Sequence, residues 1–268
     1  MMAEHQDISF QPELQEHSLK ISRKQRKDAG QLRWENRDYY CLQWIGQQTV
    51  VRFDQLQRLL GRESRAFHDY SNVLSPSATR NAITRWEMAK LINSRHVQAN
   101  EQKYYWLSQQ GLSFVELKLP HHVPEASTIQ HFFACNQIRL YVEQLDYETE
   151  EATNATWFSQ CELRQQERTT PLPDAEWCTL GLGRVAIHVE TERKIREQAL
   201  QKMQSYVQGH VVSYSEVWYF ATHTTLAFLE DLRQTLQRSG IHTDKLYIYD
   251  AEKIIFAPSL SQRTRKNQ

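Results

Sequence analysis

The sequence predicts a two-domain α/β chain, on three observations. Its 268 residues suggest two domains, and 40% apolar content is enough for a real core in each. Residues 34–118 read as short helices ending in a helix and a small hairpin, DNA-binding in character. From residue 129 the pattern becomes α-β-β-β-α-β-α-β, the mark of a mixed sheet flanked by helices. The boundaries that follow are a disordered basic arm at 1–33, a first domain at 34–118, a linker at 119–128, a second domain at 129–258 and a basic tail at 259–268.

The arm is poor in apolar residues and carries Lys20, Arg23, Lys24, Arg26 and Lys27. It reads as a solvated tail, with an arm that tracks phosphates as the functional alternative. Asn36–Gln47 follows as a helix with Tyr39, Tyr40, Leu42, Trp44 and Ile45 on its apolar side. Residues 49–52 are extended, and Asp54 is placed to cap a second helix, Gln55–Leu60. A polar connection at 61–75 leads to Ser75, a capping residue, and Pro76, favourable in a first helical turn. The helix they open has Ala82, Ile83, Trp86 and Ala89 on one face. The other face carries Ser77, Arg80, Asn81, Thr84, Arg85 and Met88. Two strand-like runs, Asn93–Gln98 and Lys103–Leu107, are joined by the turn at 99–101. A polar, arginine-bearing helix followed by a hairpin is the recognition half of a winged helix-turn-helix, so Ser77, Arg80, Asn81, Thr84, Arg85 and Lys103 are the candidate DNA contacts. Among them Asn81 and Arg85 are the expected base readers, because asparagine pairs with adenine and arginine with guanine. Ser108 then caps a closing helix, Gln109–Leu117.

The linker holds Pro120 and Pro124, and its His121–His122 pair, with no ligand at metal spacing, reads as solvated. In the second domain Ile129–Tyr147 reads as a long amphipathic helix and Thr156–Leu163 as a strand. Pro173–Leu180 and Arg184–Thr191 are strands turned by Gly181-Leu182-Gly183. A helix at Arg193–Gln208, a strand at Glu216–Thr222, a helix at Thr225–Arg238 and a last buried strand at Lys245–Tyr249 complete the order, with Glu252–Phe256 as an edge strand.

Charge and cysteine content narrow the function classes. The net charge is zero, yet residues 1–120 hold 17 Lys and Arg against 13 Asp and Glu, a net of +4, leaving 15 against 19 in the remainder. That excess suits phosphate contact without making the chain strongly basic. No apolar run approaches the roughly 18 residues that span a bilayer, and MMAEHQDISF has no signal-peptide core. Cys41, Cys135, Cys161 and Cys178 show no CxxC spacing, so no zinc site or disulfide framework is expected, and the cytoplasm is the expected compartment.

The chemistry-bearing residues lie in the second domain. Pro173-Asp174 opens one strand and Glu190 nearly ends the next. This pattern resembles the restriction-endonuclease-like nucleases of PD-(D/E)xK type, in which two neighbouring carboxylates hold Mg²⁺ that activates water and neutralises phosphate charge. The resemblance implies metal ligation by Asp174 and Glu190, with Glu162 or Glu143 as a third acid. The lysine expected two residues after Glu190 is replaced by Glu192, so Lys194 or Lys202 on the following helix would have to supply the ammonium.

The whole order is similar to the replication-relaxation family of plasmids and other mobile elements. The similarity rests on Leu107-Ser108-Gln109-Gln110-Gly111, His131, Cys161-Glu162-Leu163-Arg164, Pro173-Asp174-Ala175, and Val189-Glu190-Thr191-Glu192 followed by Lys202 and Tyr206. It implies a double-stranded DNA-binding protein acting in replication or DNA relaxation, with an inactive nuclease-like domain, a homodimer or other replication or mobilisation proteins as partners, and no membrane. His131 reads equally as a structural hydrogen-bonder. Two other readings stay open: a Mg²⁺-dependent endonuclease or nickase, and a winged-helix repressor whose second domain dimerises.

Overall fold

The computed structural model describes residues 34–63, 72–97, 102–148, 155–166, 171–209 and 213–256. The expected arm at 1–33, the tail at 259–268, the hairpin turn at 99–101 and most of the connection at 61–75 lie outside these residues.

The chain from Asn36 forms α1 (Asn36–Gln48), β1 (Val51–Arg52), α2 (Phe53–Arg62), α3 (Pro76–Met88), β2 (Ile92–Arg95), β3 (Tyr104–Leu107) and α4 (Gln109–Phe114). The start signals act as expected. Ser75 Oγ accepts from the Ala78 amide at 3.3 Å, and Ser108 Oγ accepts from Gly111 at 2.9 Å. The second helix starts one residue before Asp54, whose carboxylate is instead gripped by Arg52 at 2.6–2.7 Å. β1 and β2 both pair antiparallel with β3, giving a three-stranded sheet in the order β1-β3-β2. Leu42, Ile45, Leu56, Leu59, Ile83 and Trp86 fill the space between helices and sheet. Gly111 is required where α4 meets the chain after α3, because a Cβ there would stand 2.0 Å from the Leu91 carbonyl oxygen.

The remainder is α5 (Ala126–Glu148), β4 (Thr156–Ser159), α6 (Gln160–Gln165), β5 (Ala175–Thr179), β6 (Gly183–Glu190), α7 (Arg196–Gln208), β7 (Glu216–Ala221), α8 (His223–Arg238), β8 (Leu246–Asp250) and α9 (Glu252–Ile255). The five-stranded sheet runs β4-β5-β6-β7-β8. β4, β5 and β6 are an antiparallel meander; β6, β7 and β8 are parallel, joined by α7 and α8. The protein is therefore an α/β structure with a mixed sheet. α5 packs with Trp177, Val185, Ile187, Val189 and Phe220 on one sheet face, while α7 and α8 pack on the other.

Four expectations change. The run Thr156–Leu163 is a strand only to Ser159. Ser159 then caps α6 and Glu162 bonds back to the Ser159 amide at 2.9 Å, a capping box. Glu162 is thereby a helix-start residue that also accepts from Gln47 at 3.1 Å, and not a carboxylate on a strand. Glu252–Phe256 is a helical turn, held where Glu252 accepts the His223 amide at 2.9 Å. β8 is the sheet edge, with Tyr247 and Tyr249 exposed. Finally, α5 is not amphipathic in the one-faced sense: residues 133–140 are all buried, because both cores press on it.

Burying α5 on all sides brings charges with it. Glu143 accepts from Arg139 Nε at 2.6 Å and from Arg62 Nη1 at 2.5 Å, and Arg62 also donates to the Tyr40 hydroxyl at 2.8 Å. Asn136 donates to the Val50 carbonyl at 2.6 Å, and Gln55 donates to the Phe133 carbonyl at 3.0 Å. Burial raises the Glu143 carboxyl, but the Arg139 and Arg62 guanidiniums outweigh it and hold the group below its ordinary value. Its contribution is therefore present above the unfolded carboxyl value of about 4.3 and is lost as pH falls through the lower folded value. Glu143→Ala is expected to cost about 3–5 kcal/mol in urea unfolding, because two buried guanidiniums lose their counter-charge. A loss under 1 kcal/mol would contradict this.

Candidate functional site

Two regions carry unspent chemistry. The first is the outer face of α3. Thr79, Ala82, Ile83 and Trp86 point into the core, which turns Ser77, Arg80, Asn81, Thr84 and Met88 outward as an i, i+3, i+4, i+7, i+11 stripe. The Arg80 guanidinium lies 5.7 Å from the centre of the Phe53 ring, and Lys103 is exposed just before β3. Arg85 differs from the expectation. Its Nη2 bonds both oxygens of buried Asp38, at 2.9 and 3.2 Å, and Trp86 Nε1 bonds the same carboxylate at 3.1 Å. Arg85 therefore clamps α3 to α1 through Nη2, with its side chain about a third exposed. Sequence spacing gave no sign of this, since Asp38 lies 47 residues away.

The second region is where β5 begins beside β6. The Asp174 amide bonds the Ile187 carbonyl at 2.9 Å, and the Val189 amide returns to Asp174 Oδ2 at 2.8 Å. Alternation along β6 sends Val185, Ile187 and Val189 toward α5 and Ala186, His188 and Glu190 toward α7 and α8. Glu190, 7% exposed, receives the Lys194 ammonium on both oxygens at 2.7 Å. Glu190, Glu192, Lys194 and Lys202 line one shallow depression beside Tyr219 and Thr225. Asp174 Oδ1 is 3.1 Å from His131 Nε2, on α5. Burial raises the Asp174 carboxyl, but the His131 bond and charge, with Lys202 next, hold it well below the ordinary carboxylate range. In turn the Cys135 sulfur first, and Asp174 with it, lift His131 to about 11 against the burial that lowers it.

Three groups here escaped the sequence reading. Cys135 lies 3.5 Å from His131 Nε2, and its i, i+4 spacing from His131 was the available signal. Glu176 is fully buried, accepts from the Tyr214 hydroxyl at 2.5 Å and faces Arg184 Nε at 3.5 Å. His188 is fully buried between Tyr206 and Tyr219, with ring centres 4.5 and 4.6 Å away. Neither His188 nitrogen has a hydrogen-bond partner among the described residues, and burial pushes the group well below its ordinary value.

No family model, curated protein or solved structure matches the chain. Among the described residues, no helix is long and apolar enough to cross a membrane.

His188 gives the site its own test. A neutral, unpaired imidazole in an apolar, aromatic slot costs stability, because each buried unbonded polar atom costs about 1–3 kcal/mol. His188→Phe keeps the ring stack and is expected to raise the urea midpoint. In the wild type, stability falls as pH drops below the unfolded histidine value of about 6.5 toward the depressed folded value. That part of the pH dependence should vanish in the variant. A lower midpoint at pH 7 would mean that His188 has a bonding partner.

Proposed function

We propose that the chain is a double-stranded DNA-binding protein of a plasmid or mobile element, acting in replication or DNA relaxation, as the replication-relaxation resemblance implies. The observation that carries the DNA reading is the order α1-β1-α2-α3-β2-β3 with β1 closing on β3. It supports a winged helix-turn-helix in which α3 is the recognition helix. α3 presents a stripe of Ser77, Arg80, Asn81 and Thr84 that its own fold does not use for packing. Side chains of these types reach base edges and phosphates from the major groove. The meander β4-β5-β6 continued by parallel β7 and β8, with helices on both faces, supports a restriction-endonuclease-like second region.

The engagement of Arg85 changes the division of labour. Arg80 and Asn81 become the readers, and Arg85 holds the helix in place. Asn81→Ala is expected to cost about 1–3 kcal/mol on the preferred site and to relax base preference there. Arg80→Ala should weaken binding and, if its contact is to phosphate, lower the log–log salt slope by about 0.9. Arg85→Ala should lower the melting temperature, because Asp38 is left buried with one partner fewer. Fluorescence anisotropy on selected duplexes tests the set. Unchanged binding in the Arg80→Ala/Asn81→Ala protein would remove α3 as the interface.

The second reading is a Mg²⁺-dependent nuclease, favoured by one observation: Lys194 and Lys202 bring ammonium groups to the carboxylate face, where Glu192 cannot. The donor set argues against the metal. Both Asp174 oxygens are bonded, to His131 and to the Val189 amide, and both Glu190 oxygens face Lys194. A hard cation seeks six or so free oxygens, and this arrangement does not fit it. Supercoiled plasmid incubated with Mg²⁺ or Mn²⁺ is therefore expected to stay intact. Nicking by the wild type that disappears in Asp174→Ala would establish the nuclease instead.

A further inference from the structure

We propose that His131, Cys135 and Asp174 form a binding site for a borderline divalent cation, Zn²⁺ by preference, with an open fourth position. Among the described residues this is the only group of three or more His, Cys, Asp or Glu side chains whose ligand atoms all lie within 4.8 Å of one another. It shares Asp174, but not Glu190, with the nuclease reading and does not depend on DNA binding.

The separations match the metal. Zn–N of about 2.0–2.1 Å, Zn–S of about 2.3 Å and Zn–O of about 2.0–2.2 Å at tetrahedral angles give N···S edges of about 3.5 Å and N···O edges of about 3.3 Å. His131 Nε2 stands 3.5 Å from Cys135 Sγ and 3.1 Å from Asp174 Oδ1. These two edges are within a few tenths of an ångström of the ideal, and the third, from Cys135 Sγ to Asp174 Oδ1, is at most 4.8 Å. The site is preorganised. His131 and Cys135 are one helical turn apart on α5, Cys135 within its buried stretch, and the Val189 amide fixes the Asp174 carboxylate through its other oxygen. A thiolate, an imidazole and one carboxylate are a donor set for zinc rather than for magnesium.

Access is also built. His131 is 38% exposed and lines a cavity of about 830 Å³ between α4, α5 and α6, whose rim carries His121, His122 and Glu125. His131 is the ligand that reaches this cavity, and a cation with three protein ligands keeps a fourth position for water or a small anionic group, the pattern of zinc sites that exchange a ligand. Binding displaces the Cys135 thiol proton and the proton His131 shares with Asp174, so up to two protons leave per cation.

Cobalt is the probe. Metal-free full-length protein titrated with Co²⁺ is expected to bind one equivalent, with the visible bands of tetrahedral cobalt and a near-ultraviolet thiolate-to-cobalt charge-transfer band, all displaced by one equivalent of Zn²⁺. Cys135→Ser should abolish the charge-transfer band, and Cys161→Ser, on the cavity wall, should keep it. His131→Asn, at a partly exposed position, should lower cobalt affinity at least tenfold with circular dichroism unchanged, and it decides the matter should Cys135→Ser fold poorly. Duplex DNA affinity should be the same in the His131→Asn variant, which separates this site from the DNA reading. No stoichiometric cobalt, a band that survives Cys135→Ser, or one lost in Cys161→Ser would overturn the assignment.

Discussion

The buried charge cluster on α5 is the constraint on which the rest depends. Glu143 holds Arg139 on its own helix and Arg62 at the end of α2, and Asn136 and Gln55 exchange bonds with backbone across the same seam. Polar groups taken from water into such a seam must be satisfied there, and the partners here come from both halves of the chain. Apolar contacts alone would allow α5 to slide against α2. Directional bonds to Val50 and Phe133 carbonyls fix one register. Leu119, in the stretch read as a linker, enters the first core, and α5 contributes Leu140 to that core and Ile138 to the next. Arg52, stacked 3.8 Å over the Phe133 ring, closes the same seam.

That rigidity decides what the cavity and the carboxylate face can do. α5 carries His131 and Cys135 to the start of β5, while the connection after β6 and α7 bring Lys194 and Lys202 to the opposite sheet face. Asp174 stands where the two layers meet, at the end of the sheet, and takes charge from both. The geometry is a consequence of the meander. β5 must start beside Ile187 for its register with β6 to place Ala175 and Trp177 in the core, and the residue before it then falls at the sheet's open end.

Much of this was legible locally. Capping serines at 75 and 108, the 3.6-residue spacing on α3, the Gly181–Gly183 turn and the alternation of Val185, Ile187 and Val189 are short-range signals, and the structure follows them. The failures are of two kinds. Where two local signals compete, one prevails: Ser159-x-x-Glu162 starts a helix, although Trp157, Phe158 and Leu163 would suit one longer strand. Ile254, Ile255 and Phe256 likewise suggested a strand where the sheet had already ended at Asp250. Where the partner is remote, no local signal exists. Arg85 looks free until Asp38 is folded beneath it, and the His131–Cys135 spacing means little until Asp174 arrives from 43 residues away.

The role of Asp174 is where the two chemistries meet, and they exclude each other. An oxygen shared with an imidazole 3.1 Å away, with the Cys135 thiol beyond it, is committed to the α5 side. To serve a hard cation with Glu190 it would have to turn from His131, while Glu190 gave up the ammonium of Lys194. Both moves expose a nearly buried charge without its partner, a cost that buried ion pairs make large. Glu192, exposed two residues past the end of β6, adds a further negative charge to the depression it lines with Glu190. The pairings already made therefore favour the α5 side, and they leave Lys194 and Lys202 to neutralise the sheet face rather than to assist hydrolysis. In this way the Asp174 carboxylate is tied through His131 to the α5 side of the sheet.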